Sequence, residues 1–267
     1  MLTIIRGAGD IASGIALRLH RAGIRVVLTE IERPTTIRRT VAFSDAVTSG
    51  AQTVEGVTAR RAENAEEARA LLDAGEIPVL VDPDCICRAS LAPDALVDAI
   101  LAKRNLGTRI TDAPVVVGVG PGFTAGADCH AVVETMRGHT LGRVYYEGAA
   151  LPNTNVPGLI GGYAGERVLR APADGVFTGA RRIGDRVEAG EAVGFVAGVP
   201  MTATVSGVLR GLLADGVTVR RGMKSGDVDP RGEASYCNTA SDKALAVGGG
   251  VLEALLHLWG ERLWKTT

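Results

Sequence analysis

The stretch that most constrains this fold lies at the very start. Leu2-Thr3-Ile4-Ile5 is a short apolar run, Arg6-Gly7-Ala8-Gly9-Asp10 is a glycine turn, and Ile11-Ala12-Ser13-Gly14 opens a helical pattern. Gly7 permits a tight turn, and Gly9 lacks the Cβ that would keep backbone N–H groups away from a phosphate. Ala12 lets the helix lie close to the strand. A helix N-terminus adds unsatisfied donors and a partial positive charge. Ile11, Ala12, Ile15, Ala16 and Leu19 form one stripe, with Arg18 and Arg21 off it. Gly23 stops the helix, and residues 24–30 read as a second strand. Its terminal Glu30 stands 21 residues after Gly9, where an acid that takes ribose hydroxyls belongs. The bland alternative is a βαβ unit whose glycines serve packing alone. Asp10 favours it, because a carboxylate repels a phosphate unless Arg6 offsets it.

The following segments extend the alternation. Residues 43–50 read as a short helix, 53–61 as a strand, 64–74 as a helix capped by Asn64, and 77–82 as a third core strand. Strands alternating with helices argue for an α/β fold with a Rossmann-like, doubly wound parallel sheet. Residues 95–102 fit either strand or helix. Just beyond the second strand lies a loop, residues 31–40, whose Arg33, Arg38 and Arg39 would hold a second phosphate or simply face solvent.

Two later stretches carry polar groups suited to a ligand. Lys103-Arg104-Asn105-Leu106-Gly107-Thr108 places cations, an amide and a hydroxyl around a glycine, a set that grips an oxyanion or forms an ordinary basic turn. Residues 115–119 form an apolar strand feeding Gly120-Pro121-Gly122-Phe123-Thr124, and glycines there suit close approach to a ligand. Residues 129–135 then read as a strand, and 142–147 as another. Asp128, His130 and Glu134 share a face on an extended chain, as a metal site, an acid–base pair or a paired polar seam. Glu134 would stand ~13 Å from His130, so one small ion cannot reach both unless the strand bends. No metal site is assigned. The candidate ligand-binding set is Arg6, Gly7, Ala8, Gly9, Asp10, Ile11, Glu30, Lys103, Arg104, Asn105, Thr108, Gly120, Gly122, Phe123, Thr124 and His130; no catalytic residue is assigned.

Composition excludes some classes. With 29 Lys+Arg against 30 Asp+Glu, electrostatics give no support for nucleic acid. No apolar run of ~18 residues predicts a membrane span. The chain starts directly in a strand, so a cytoplasmic protein without a signal peptide is expected. Cys85, Cys87, Cys129 and Cys237 form no C-x-x-C pair and fit a reducing compartment. Cys85-x-Cys87 in its Asp82-Pro83-Asp84 setting suits redox chemistry or a metal, although structural zinc uses wider spacing.

From Ala171 onward the pattern changes to short strands and glycines. Asp174-Gly175-Val176-Phe177 recurs 32 residues later as Ser206-Gly207-Val208-Leu209, and Val187-x-x-Gly190-x-x-x-Gly194 recurs as Val219-x-x-Gly222-x-x-x-Gly226. Two copies of one β motif predict a small all-β barrel. The phrases APADG and IGDRVEAG resemble biotinyl/lipoyl domains. The hairpin expected to bear that family's modified lysine reads Gly198-Val199-Pro200-Met201-Thr202, so no covalent biotin or lipoyl group is expected. Val247, Val251, Leu252, Leu255, Leu258, Trp259 and Leu263 line a C-terminal amphipathic helix. Gly248-Gly249-Gly250 implies that this helix starts near Gly250, where it would offer another anion-binding end, or that another backbone passes close. The expected domains are 1–165 for the nucleotide or cofactor, 166–230 for the barrel, and 231–267 for a helix returning to the first domain.

The phrases IRGAGDIASG, IERPTTIRRTVAF, LAKRNLGT, GPGFTAGADCHAVVETMRGHTLGRV, PNTNVPG, DVDPR and SDKALAVGGGVLEA run nearly end to end. On these the chain resembles the selenium-dependent molybdenum hydroxylase system proteins of the YqeB type. The resemblance implies an accessory or maturation role, with a molybdenum hydroxylase or its other maturation proteins as partners. It assigns no reaction and no catalytic residue. Cys85, Cys87 and Cys129 stand outside its pattern, which weighs against a selenium-carrying role for them. A nucleotide-type ligand, molybdopterin dinucleotide or NAD, suits the first turn. The rival functions are an NAD-dependent oxidoreductase, which lacks an obvious hydride-transfer constellation, and a non-catalytic scaffold. A homo-oligomer is compatible with all three, and whether the chain is an enzyme stays open.

Overall fold

The computed structural model describes residues 1–154 and 156–264, with side chains through residue 260. Asn155 of the PNTNVPG phrase and the side chain of Leu263 lie outside the described residues. The chain divides into two compact units. The first comprises Met1–Pro34, Ala42–Asn153 and Ala240–Thr267; the second comprises Thr35–Val41 and Thr154–Thr239.

The first unit is a mixed α/β fold on one large sheet. Its strands are β1 (Leu2–Arg6), β2 (Arg25–Glu30), β3 (Ala51–Val54), β4 (Val57–Ala62), β5 (Ile77–Val81), β6 (Ala95–Asp98), β7 (Val115–Val119), β8 (Ala131–Val133) and β9 (Val144–Tyr145). Their order is β3-β4-β5-β2-β1-β6-β7-β8-β9. Every pairing from β4 across to β8 is parallel, and β3 and β9 close the edges antiparallel. Central parallel strands are covered on both faces, which is why they read as unbroken apolar runs. Ile4, Ile5, Val27, Leu28, Leu96, Val97, Val116 and Val117 are all fully buried, each worth about 1.5–3 kcal/mol.

The helices are α1 (Asp10–Arg21), α2 (Ala46–Ser49), α3 (Ala65–Asp73), α4 (Arg88–Leu91) and α5 (Asp242–Trp264). On one face of the sheet Ile4, Val27, Leu96, Val116 and Val132 pack with Ala68 and Leu72 of α3 and Leu91 of α4. The opposite face, which carries Val133, receives α5: a Cβ at Gly250 would stand 2.8 Å from Val133 Cγ1. Helix α5 also packs along α1.

Several elements differ from the sequence expectation. The strand read over 53–61 is a hairpin, β3–β4, turned at Glu55 and Gly56 with φ of 47° and 81°. Two consecutive positive φ values are what a two-residue turn between twisted strands requires. The helix over 43–50 is a 3-10 turn (Phe43–Asp45) followed by α2. Residues 95–102 are strand only through Asp98; a loop follows to β7. The strands read over 129–135 and 142–147 shorten to β8 and β9. Helix α5 begins at Asp242, so Gly250 lies inside it and offers no helix end. The three glycines are explained instead by close backbones. A Cβ at Gly248 would lie 2.8 Å from Gly14 O, and one at Gly250 would overlap the Gly142 carbonyl.

In the second unit β10 (Val168–Arg170), β17 (Lys224–Asp229), β15 (Gly207–Leu212) and β12 (Arg186–Val187) form one four-stranded sheet. A second holds β14 (Val199–Thr202), β13 (Ala192–Val196), β11 (Gly175–Gly179) and β16 (Thr218–Val219). The 32-residue repeat maps onto these strands: β11, β12 and β13 start at 175, 186 and 192, and β15, β16 and β17 at 207, 218 and 224. The pairing is exchanged between copies. Strand β11 pairs with β16 through Gly175↔Val219, and β15 pairs with β12 through Gly207↔Val187. A shared core of Leu169, Phe177, Val193, Val196, Leu209, Leu212 and Val228 lies inside.

Arg38 and Arg39 belong to this second unit. Arg38 Nη2 donates to the carbonyls of Tyr236 and Thr239, and Arg39 Nε to that of Leu212. They hold backbone here, in contrast to the second-phosphate expectation. Asp227 and Asp229 are buried and ion-paired to Arg167, Arg210 and Arg231.

Candidate ligand site at the carboxyl ends of the parallel strands

Strand β1 is flanked by β2 on one side and β6 on the other. Chain progression reverses direction there, and in open α/β sheets the crevice at such a point, beyond the carboxyl ends, is where ligands bind. Strands β1, β2 and β6 end in Arg6, Glu30 and Asp98, with Asp82 directly after β5. Arg6 is buried. Its Nη1 donates to Asp98 Oδ2 at 3.2 Å and Thr108 Oγ1 at 2.6 Å, and its Nη2 to Pro83 O at 3.0 Å. The Thr108 hydroxyl donates in turn to Asp98 Oδ2 at 2.6 Å. Arg6 Nε is buried with no hydrogen-bond partner among the described residues.

The glycine turn is held from within. Gly7 N–H donates to Thr29 O, and Ala8 N–H to Glu30 Oε2 at 3.0 Å. The missing Cβ of Gly7, at φ 97°, would sit 3.0 Å from Ala99 O, so this glycine serves the approach of the chain after β6. Gly9 is the N-cap of α1 and Asp10 its first residue; Asp10 Oδ1 accepts from Ile11 N–H, and Ile11 is buried. Glu30 Oε1 accepts from Ile31 N–H. Burial pushes the Glu30 carboxyl up, opposed by its two backbone donors. Two carboxylates thus lie where a pyrophosphate would meet this turn.

Of the other candidate residues, Asn105, Thr108 and Thr124 form a connected loop cluster through Asp128, while His130 lies apart, beside β7. Asn105 Oδ1 accepts from the N–H groups of Gly107 and Thr108, while its Nδ2 donates to Thr108 O and to Asp128 Oδ1. Asp128 Oδ2 accepts from the N–H of Thr124, an exposed residue. Gly122 lets the backbone of Arg104 approach, since a Cβ there would lie 2.5 Å from Arg104 Cα. Gly120 faces Thr135, Phe123 packs on Gly118, and Lys103 and Arg104 are exposed. Glu134 is fully buried and accepts from the N–H groups of Thr135, Met136 and Leu151. His130 Nδ1 accepts from Val116 N–H. Asp128, His130 and Glu134 therefore serve separate backbone groups, and among the described residues no group of three or more His, Cys, Asp or Glu could hold a metal ion.

A cavity of about 170 Å³ is lined by Arg6, Asp84, Cys85, Arg88, Leu96, Leu106, Gly107 and Asp112. A wider one of about 630 Å³ lies beside Asp94, Asp112, Pro114 and His130, before the starts of β6, β7 and β8. Of the smaller cavity's lining only Arg6 was in the sequence-derived set. Asp98 escaped notice because residues 95–102 fitted either element; an acid closing an apolar run, as in Glu30 and Asp82, was the available signal. Cys85 and Arg88 lie in the Asp82-Pro83-Asp84-Cys85-Ile86-Cys87-Arg88 turn, whose cysteine spacing was visible but whose arginine partner was not.

No family model matches the chain. It is similar to the uncharacterized protein YqeB of Escherichia coli strain K12. The two are 55% identical over 257 residues, covering 96% of this chain and 48% of the relative. The chain thus spans about half the length of that protein. Among solved structures, an aspartoacylase family protein from Mesorhizobium loti aligns at 13% identity and TM-score 0.28, covering 85% of this chain and 84% of the other. A succinylglutamate desuccinylase/aspartoacylase from Rhodobacter sphaeroides aligns at 15% identity, with the same TM-score and coverage. Backbones that superpose so loosely say nothing about chemistry. Among the described residues no helix is long and apolar enough to cross a membrane.

Proposed function

We propose that this chain is an accessory protein of molybdenum hydroxylase maturation whose first unit is a Rossmann-like domain for an anionic, nucleotide-type ligand such as molybdopterin dinucleotide. The second unit is, in this proposal, a biotinyl/lipoyl-like barrel without the modified lysine, available for docking the hydroxylase or another maturation protein. What carries the proposal is the reversal of strand order at β1, whose terminal Arg6 lines a cavity together with Arg88. At about 170 Å³ that cavity is smaller than the ~300–1,000 Å³ of a pocket that encloses a whole drug-sized ligand. It admits one phosphate-sized group, leaving the rest of a dinucleotide outside. The glycine turn is a poorer seat, because Glu30 and Asp10 already occupy its donors. The same engagement of Glu30 leaves the NAD-dependent oxidoreductase with less support, since its carboxylate is turned onto backbone N–H groups.

Equilibrium binding of the purified chain to mononucleotides, NAD and extracted molybdopterin dinucleotide tests this, together with mass spectrometry of any molecule retained through purification. Micromolar binding is expected, weakened about 10- to 100-fold in Arg88→Ala by loss of one charge-assisted contact. Absence of binding to every member of the panel would refute it.

A further inference from the structure

The smaller cavity contains a thiol that the proposed function does not use. Cys85 follows β5 in a turn built by Asp82, whose Oδ1 and Oδ2 accept from the N–H groups of Ile86 and Cys87 at 2.9 and 2.7 Å. Cys85 takes φ 54°, a left-handed backbone unusual for a side-chain-bearing residue. Such strained positions persist where the surroundings over-determine them, often at functional sites. Arg88 locks the turn by donating from Nη1 to Cys85 O at 2.8 Å. The residue itself is 1% exposed, yet it lines a cavity whose rim includes the exposed Asp84, Leu106 and Gly107.

We propose that Cys85 is a nucleophilic thiol site for a small electrophile bearing an anionic group, which Arg6 and Arg88 receive in the cavity. The choice of an anionic group rests on the ligand reading above. It has support of its own in Arg6 Nε, which lies on a side chain only 5% exposed and has no partner among the described residues. A buried guanidinium N–H without an acceptor is costly unless a ligand supplies one.

The charged groups around Cys85 agree. Its neighbour Cys87 lowers the Cys85 thiol; burial and Asp82 oppose this, and Arg6 and Arg88 lower it further. Cys87 is pushed far up by its pairing with Cys85 and by burial, so of the two thiols Cys85 is the one that gives up its proton more readily. Asp84 and Asp112 complete the charged lining, with Arg88 Nε 3.5 Å from Asp112 Oδ1. The other two cysteines are inert by comparison: burial raises Cys129 to about 11 and also raises Cys237. The thiolate is the nucleophilic form.

Iodoacetate and iodoacetamide are probes of matched size that differ in charge. With iodoacetate the Cys85 thiol first loses its proton to water; its sulfur then bonds to the methylene carbon, the carbon–iodine bond breaks, and iodide leaves with the electron pair. The full chain is treated with each reagent between pH 6 and 9, and site-resolved rates are read by peptide mass spectrometry. Cys85 is expected to react ahead of Cys87, Cys129 and Cys237. Its iodoacetate-to-iodoacetamide rate ratio should exceed that of free cysteine about tenfold, the effect of one charge-assisted contact. Arg88→Gln should return the ratio to the free-cysteine value, and Cys87→Ala should move the pH midpoint of labelling upward. A Cys85 no faster than Cys237 at pH 7, or a wild-type ratio equal to that of free cysteine, overturns the site. A reactive Cys85 in a chain that binds no nucleotide supports this site and removes the cofactor proposal. A bound nucleotide beside an inert Cys85 does the reverse.

Discussion

The run Gly248-Gly249-Gly250 in α5 allows a test in which neighbouring substitutions should move stability in opposite directions. Helix propensity treats all three alike: replacing a mid-helix glycine by alanine gains ~1 kcal/mol. The tertiary environment separates them. Nothing lies within 4 Å of a Cβ at Gly249, so Gly249→Ala should stabilise by about 0.8–1 kcal/mol. At Gly248 the new methyl would lie 2.8 Å from both Gly14 O and Arg18 Cγ, and 3.2 Å from Ile15 Cα. Arg18 can swing aside, but the α1 backbone cannot. Overpacking of this kind costs about 1–3 kcal/mol, which outweighs the propensity gain and leaves Gly248→Ala destabilised by about 1 kcal/mol. The two variants should therefore differ by about 2 kcal/mol, or roughly 4–8 °C in Tm for a unit of this size. Thermal melts by circular dichroism measure the difference, and hydrogen exchange of α5 amides localises it. Equal stabilisation by both substitutions would refute the close α1–α5 packing.

Further outcomes follow from other contacts. Arg210→Leu removes the cation shared by Asp227 and Asp229, both at most 1% exposed, and should destabilise the second unit by about 3–5 kcal/mol, read by hydrogen exchange in β15 and β17. For Asp229, burial raises the carboxyl, but Arg231 and Arg210 outweigh this and hold it below its ordinary value. Its stabilising contribution is therefore present above pH ~4 and lost as pH falls through the lowered value, so Asp229→Asn should flatten the acid limb of that unit's stability profile. Glu30 has the opposite sign: its raised carboxyl makes the first unit lose stability as pH rises above ~4.5, and Glu30→Gln should reduce that slope in pH-dependent melts. Asn64 Oδ1 accepts from the N–H groups of Glu66 and Glu67, so Asn64→Ala should cost about 1 kcal/mol in a urea titration.

The sequence by itself determined the elements whose signal is local. An apolar run, two glycines and a helical stripe were enough for β1, its turn and α1. Asn64 marked the start of α3, and the 32-residue repeat marked two copies of one β motif. Local pattern also located most of the polar loop cluster, because Asn105, Thr108 and Asp128 occur in segments without competing periodicity. Tertiary structure decided which partners those groups meet. Glu30 stands where a ribose-binding acid belongs, yet it folds onto the Ala8 N–H, since spacing along a chain does not fix the direction of a carboxylate. Gly7 and Gly250 read as possible ligand contacts, yet each makes room for another backbone from a distant part of the chain, as the alternative reading of the 248–250 run had it. Arg38 and Arg39 follow the first βαβ unit in sequence but hold carbonyls of the second unit. The cavity joining Arg6 to Cys85 and Arg88 exists only because the parallel sheet sets the end of β1, the turn after β5 and the loop between β6 and β7 side by side, and no short-range pattern encodes that meeting.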